Sequence, residues 1–259
     1  MPALADLLEL AERAALRGGE LVAGEGTDPV AEAKGAGDYV TDVDRASEQA
    51  IREILGQGTP DIPVVGEEAG GRGDRRSWVV DPLDGTTNYL HGFPVVGVSV
   101  ALVEEGRPIV GVVHAPFLGQ TFLGARGLGA RARTRGREAE ARVSGRPVEQ
   151  AVVGTGFPFR RKDLIPRYLA TFEASLGRFE DLRRPGAAAL DLAWVATGAF
   201  EGFFELGLAQ WDVAAGALLI EEAGGVVTDW EGGTDYLGGD VLAGSPAVHA
   251  ALLEIVRHG

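Results

Sequence analysis

Three apolar runs in this sequence end on carboxylates, and few folds can accept all three. Val64-Val65-Gly66 leads into Glu67-Glu68. Trp78-Val79-Val80 leads into Asp81-Pro82-Leu83-Asp84-Gly85-Thr86-Thr87-Asn88. Trp211 leads into Asp212-Val213-Ala214. Each acid sits where an apolar element meets a turn or a helix start. A buried, unpaired carboxylate is costly, so such groups need a cation or hydrogen-bond donors.

The middle segment says most. Asp81 is expected to end a buried strand, with Asp84 in the turn that follows. Pro82 restricts that turn, and Gly85 permits a tight or positive-φ backbone. Two carboxylates so spaced can converge on one point, with the Leu83 carbonyl as a further oxygen. Gly85-Thr86-Thr87 can then open a helix whose N–H groups face an anion. Oxygen ligands beside an anion nest suit magnesium bridging a phosphate. A turn merely capped by Asp81 and Asp84 is the plainer reading, and this segment alone leaves both open.

Composition narrows the field. The chain has 259 residues, 38 acidic and 24 basic side chains, a net charge of −14 and no cysteine. The acidity argues against generic nucleic-acid binding. The missing cysteine excludes disulfides, cysteine-ligated zinc, iron–sulfur clusters and a thiol nucleophile. The N-terminus lacks a signal-peptide pattern, and no window is apolar enough to span a membrane, so the cytoplasm is the expected location. No Gly-x-Ser-x-Gly elbow or phosphate-binding Gly-x4-Gly-Lys-Ser/Thr loop is present. His91, His114, His249 and His258 show no ligand spacing and are expected at the surface or in packing. Trp78, Trp194 and Trp211 are expected to pack.

Residues 4–23 read as an amphipathic helix. A polar stretch runs on to Asp38. A second helix is expected from near Asp44, after a Thr41-x-x-Asp44 start signal, with Ala46, Ala50, Ile51, Ile54 and Leu55 as its apolar face. Residues 62–65, 78–80, 95–103, 109–114 and 120–123 read as strands, with a hairpin at 104–107. Residues 126–146 hold seven arginines and are expected to form a solvated loop. Strands at 151–155, 177–183, 200–205, 225–228 and 240–243 alternate with helices at 161–176, 187–197, 212–223 and 246–256. Two closely packed halves are expected, 1–146 and 147–259, forming one compact unit. The segment 154–158 is open between a turn and a substrate contact.

Taken together, these motifs resemble the inositol monophosphatase family. One signature matches Trp78 through Tyr89. A second matches Trp211-Asp212-Val213-Ala214-Ala215-Gly216 through Glu222-Ala223-Gly224-Gly225. Gly66-Glu67-Glu68, Asp38-x-x-Thr41-x-x-Asp44, Gly186-Ala187-Ala188-Ala189 and Phe203-Phe204-Glu205 match in order and spacing. The resemblance spans about residues 4–256. It implies an α/β (α+β) layered αβαβα sandwich, a homodimer, and magnesium-dependent hydrolysis of small phosphate monoesters. Glu67, Asp81 and the Leu83 carbonyl resemble ligands of a first magnesium, and Asp81, Asp84 and Asp212 those of a second. A third ion would share Glu67. Manganese can substitute, and lithium inhibits. Asp44 and Thr86 resemble the pair that orients and deprotonates the attacking water, with Glu67 in the same catalytic set. Gly85 and Thr86 would hold the phosphate. Asp84, Gly186, Ala188, Glu205 and Asp212 match substrate positions, and Lys34 falls in a mobile flap. Ala187 departs from the family's common serine or threonine.

Inositol 1-phosphate is the first expectation for substrate. Fructose 1,6-bisphosphate, NADP and 3′-phosphoadenosine 5′-phosphate follow within the class. An alternative of another class is an accessory protein of RNA or the transcription machinery.

Overall fold

The computed structural model describes residues 2–24, 31–35 and 38–258; within 31–38, only Glu32 has a described side chain. That leaves the Lys34 and Asp38 side chains outside the described residues. Among the described residues, two large sheets and three helical layers stack as αβαβα, with a separate two-stranded sheet besides.

The first outer layer is α1 (Leu4–Val22) with α2 (Asp42–Gly58). The strands β1 (Ala31–Gly35) and β2 (Asp38–Thr41), which fall between them in sequence, pair antiparallel. The sequence reading had only a polar stretch here, because these strands show no apolar alternation.

The next layer is a seven-stranded sheet in sequence order. Its strands are β3 (Val64–Gly66), β4 (Arg76–Asp84), β5 (Gly97–Glu104), β6 (Arg107–Ala115), β7 (Gln120–Ala125), β8 (Gly129–Thr134) and β9 (Arg137–Glu140). A short helix, α3 (Thr86–Leu90), follows β4. The central strands are apolar along their whole length because both faces are covered. Trp78, Val80, Val98, Val100, Leu102, Val110 and Val112 pack on α1 and α2. Val79, Ala101, Val103 and Val113 point the other way. At the expected β5–β6 hairpin, Glu105 (φ 51°) and Gly106 (φ 75°) form a two-residue turn of left-handed residues.

The middle layer is α5 (Ala188–Ala196) and α6 (Gln210–Glu222). Both are apolar nearly all round, as helices between two sheets must be. Gly111 on β6 lets α6 approach. A Cβ there would lie 2.9 Å from the Ala215 carbonyl oxygen and 3.0 Å from its Cα. Gly111→Val is expected to cost about 1–3 kcal/mol by overpacking, measurable as a lower urea midpoint.

The second sheet runs β11-β10-β12-β14-β13. Its strands are β10 (Val152–Thr155), β11 (Asp181–Arg183), β12 (Gly202–Glu205), β13 (Val226–Thr228) and β14 (Val241–Gly244), and α4 (Ile165–Leu176) and α7 (Pro246–His258) close the stack. Phe203 faces the middle layer and Phe204 the outer one.

Three further expectations need correction. The arginine-rich segment is not a loop, since β8 and β9 extend the sheet. Its arginines read as loop because their partners are glutamates: Arg131 and Arg133 pair with Glu138, and Arg133 also reaches Glu12 on α1. The face of α2 differs too. Ala46 is exposed, while Asp44, Ser47 and Glu48 are buried beside Ile51 and Leu55. Residues 162–164 form a 3-10 turn before α4 begins.

Candidate active site

The strand β4 does not stop at Asp81. It continues to Asp84 through a bulge. Asp81 lies opposite Ser99 and Asp84 opposite Gly97, so three steps on β4 face two on β5. Side chains alternate faces along a strand, so a spacing of three would separate the two acids. The extra residue at Pro82–Leu83 brings them back to one face. Asp212 arrives from the first turn of α6. Ser99, directly across from Asp81, donates from its hydroxyl to the Trp211 carbonyl at 2.9 Å and ties that helix start to the sheet.

Carboxylate oxygens of Asp81, Asp84 and Asp212 lie within 4.8 Å of one another. Each is aimed by a backbone N–H. Leu83 donates to Asp81 Oδ1 at 3.0 Å, Ala189 to Asp84 Oδ2 at 2.8 Å, and Ala209 to Asp212 Oδ2 at 2.7 Å. They form the floor of a cleft of about 730 Å³, which Glu67, Leu83, Gly85, Thr86, Gly186, Ala188 and Glu205 also line. These are the residues expected to hold metal and substrate. Asp44 lies behind the wall, 1% exposed. Its Oδ1 accepts from the Thr86 hydroxyl at 3.3 Å, which also reaches the Leu83 carbonyl at 3.2 Å. Thr41 caps α2, as its start signal suggested, and holds the other oxygen. Its N–H donates to Asp44 Oδ2 at 2.8 Å.

Burial, then the charges of Glu67, Asp84 and Asp212, push the Asp81 carboxyl well above its usual range. Asp84 is raised by burial and by Asp212. Burial also raises Asp44. Glu205 is pushed up to about 8 by burial and by Asp212 and Asp84, with Arg184 and Arg160 opposing. Asp191, buried on α5, has an Oδ1 without a hydrogen bond and is raised well above normal by burial, then by Glu205 and Asp84. Converging carboxylates of this kind are held against solvation and mutual repulsion, and a hard divalent cation relieves both. The all-oxygen donor set therefore fits magnesium.

Glycines shape the walls. Gly85 sits at φ 90°, where a Cβ would come 3.0 Å from the Val95 carbonyl oxygen. A Cβ on Gly156 would lie 2.0 Å from the Glu205 carboxylate. The segment 154–158, left open by sequence, therefore borders the cleft through Gly156, Phe157 and Pro158. His91 borders its mouth as well, whereas His114 hydrogen-bonds within the sheet and His249 with Thr228.

Sequence reasoning missed several residues. Asn88 donates to the Val95 and Pro185 carbonyls at 2.8 and 2.9 Å, joining α3 to the segment before α5. Arg160, Arg161, Lys162 and Arg184 make the mouth cationic. The guanidinium of Arg184 lies over the rings of Phe157 and Phe159, at 5.3 and 5.5 Å. Only long-range packing gathers these four; the signal available in sequence was the Arg160-Arg161-Lys162 run.

The family model described as the inositol monophosphatase family matches residues 3–258. The Nus factor SuhB of Pseudomonas aeruginosa is 44% identical, with 97% of this chain and 96% of that one covered. The solved extragenic suppressor protein suhB of Bartonella henselae superposes with a TM-score of 0.90 at 36% identity, covering 98% of this chain and 99% of that one. The inositol monophosphatase of Anabaena (Nostoc) superposes with a TM-score of 0.87 at 35% identity, covering 98% and 96%. A whole-chain match in sequence and in fold makes this chain a member of the inositol monophosphatase family.

Proposed function

We propose that this chain is a magnesium-dependent phosphomonoesterase. It hydrolyses inositol 1-phosphate, or a similar polyol or sugar phosphate, to the alcohol and inorganic phosphate. The observation that carries this reading is the convergence of buried Asp81 and Asp84 with half-buried Asp212 beside the Thr86–Asp44 pair.

Glu67, Asp81, the Leu83 carbonyl, Asp84 and Asp212 would hold two or three magnesium ions. When bound, the ions offset the charge of the phosphate dianion, acidify water and neutralise the leaving alkoxide. The chain's own residues supply placement and proton transfer. The N–H groups of Gly85 and Thr86 orient the phosphate. With the Leu83 carbonyl given to a cation, the Thr86 O–H would turn to Asp44 and leave a lone pair for an attacking water. The proton can then pass from water to Thr86 while that of Thr86 moves to Asp44. The raised affinity of Asp44 for a proton favours that transfer. Glu205, Asp84 and Ala188 face the alcohol side.

A phosphate-release screen tests this, with and without magnesium. Its substrates are inositol 1-phosphate, fructose 1,6-bisphosphate, 3′-phosphoadenosine 5′-phosphate, histidinol phosphate and NADP. No release from any of them would sink the reading. The cationic mouth favours the substrates with a second anionic group as runners-up. Arg184→Ala is expected to raise KM for fructose 1,6-bisphosphate roughly tenfold, and that for inositol 1-phosphate much less.

A homodimer in the cytoplasm belongs to the same proposal. Exposed Leu169 and Leu176 on α4 support the dimer, and sedimentation checks it. No helix among the described residues is long and apolar enough to cross a membrane. A second reading is association with the transcription machinery, favoured by the Nus factor names of relatives. The arginines of β8 give it little support, since Arg131 and Arg133 are in ion pairs. Co-purification of the intact chain with RNA polymerase is the test.

A further inference from the structure

Glu48 is a carboxylate that nothing above explains. It lies on the buried face of α2, only 1% exposed and outside the cleft. Its Oε2 accepts the Glu68 N–H at 2.7 Å, and its Oε1 accepts the Ala69 N–H at 3.0 Å. Arg52, one turn on, donates from Nε to Glu48 Oε1 at 2.7 Å and from Nη1 to the Val64 carbonyl at 2.9 Å. Its Nη2 donates to the Gly70 carbonyl. Carboxylate and guanidinium together grip both ends of the segment 64–70, which carries Glu67 at its centre.

The grip is tight at one point. A Cβ on Gly66 would lie 2.4 Å from the Glu48 carboxyl carbon, so only glycine admits the carboxylate. Glu67 itself is pinned from the other side, its N–H donating to the Val80 carbonyl on β4 at 3.2 Å. The same face of α2 reaches the other half of the acid cluster. Asp44 holds Thr86, and the Ser47 hydroxyl donates to the Pro82 carbonyl at 2.9 Å, inside the bulge. One rigid helix therefore sets the Glu67 segment against the Asp81–Thr86 turn.

We propose that Glu48 and Arg52 are positioning residues that set the cation-facing geometry of Glu67. This rests on the reading of Glu67 as a metal ligand, and it says which residues place that ligand. Partners outside the ligand set commonly change metal affinity ten- to hundredfold when lost. Glu48→Gln swaps one acceptor oxygen for an NH2 that must face an N–H donor. Arg52→Lys keeps the charge and loses the fork.

The test is manganese binding to the full chain, followed by the spin resonance of the free ion, with circular dichroism to show that each variant is folded. Glu48→Gln is expected to bind manganese roughly tenfold or more weakly, and excess manganese should restore occupancy. Arg52→Lys should weaken it less. Wild-type affinity in either folded variant would overturn the proposal, because a merely structural clamp lowers the unfolding temperature and leaves affinity alone. If Glu48→Gln does not fold, Gly66→Ala disturbs the same grip from the segment's side and is read instead. Asp81→Asn separates the two levels. If the wild type binds no manganese, or Asp81→Asn binds it equally well, the metal centre fails and the positioning role falls with it. If Asp81→Asn loses binding while Glu48→Gln keeps it, only the positioning role fails.

Discussion

Asp81→Asn is expected to abolish phosphate release and, in the cation-free protein, to raise the unfolding temperature. The two effects have one cause. Burial, and then the charges of Glu67, Asp84 and Asp212, hold the Asp81 carboxyl well above the usual range. Asparagine keeps an oxygen for the Leu83 N–H and removes a charge from that cluster. Replacing a buried charge that lacks a good counter-ion is often stabilising, here by about 1–2 kcal/mol. The Asp81 carboxylate is also the ligand expected to be shared by the first and second cations, and asparagine lacks its second, anionic oxygen. Losing it removes several kcal/mol of transition-state stabilisation, roughly 10³-fold or more in turnover. A phosphate assay at saturating magnesium checks the first effect and thermal unfolding in chelator the second. Retained turnover in a folded Asp81→Asn protein would defeat the assignment of this cluster.

The second large effect is a coupling of pH, cation and stability. Asp81, Asp84, Asp191 and Glu205 all have raised carboxyl pKa values. A group raised on folding gives its full stability below its unfolded pKa and loses it as pH climbs through the folded value. For Glu205 that window runs from 4.5 to about 8. The limiting loss is about 4–5 kcal/mol for a wholly dry carboxyl, and the half-buried position of Glu205 at the cleft wall makes the realised loss smaller. The cation-free chain is thus expected to weaken steadily from about pH 5 to pH 8. Saturating magnesium should flatten that slope, because a bound cation replaces the protons. Denaturant titrations at the two pH values, with and without magnesium, read this directly. An equal slope in both would mean that these acids do not share an ion.

Much of the layering was legible because burial on two faces writes continuous apolar runs, as in β5 and β6, and because Thr41 and Asp44 make a local cap. The acids at element ends were legible for the same reason. What was hidden is what only distant chain can create. The bulge at Pro82–Leu83 depends on pairing with β5 and makes Asp81 and Asp84 neighbours on one face. Glu48 carries no local signal, because its partners, the Glu68 and Ala69 N–H groups, lie some twenty residues further along the chain. The arginine-rich segment read as a solvated loop, and one of the partners that ties β8 down, Glu12, is on the first helix. Arg184 carried no local signal at all, since only the fold lays it over Phe157 and Phe159.

The acid cluster draws on both sheets' neighbourhoods. Asp81 and Asp84 come from β4, and Asp212 from the helix sandwiched between the layers. During synthesis, β4 emerges long before α6. Until α6 packs, Asp81 and Asp84 lack both their third partner and the layer that keeps water from them. The nascent N-terminal half therefore carries two ordinary hydrated aspartates. The proposed ion site is complete only once α6 has packed, so uptake of the ion would report that the helical layer between the sheets has formed.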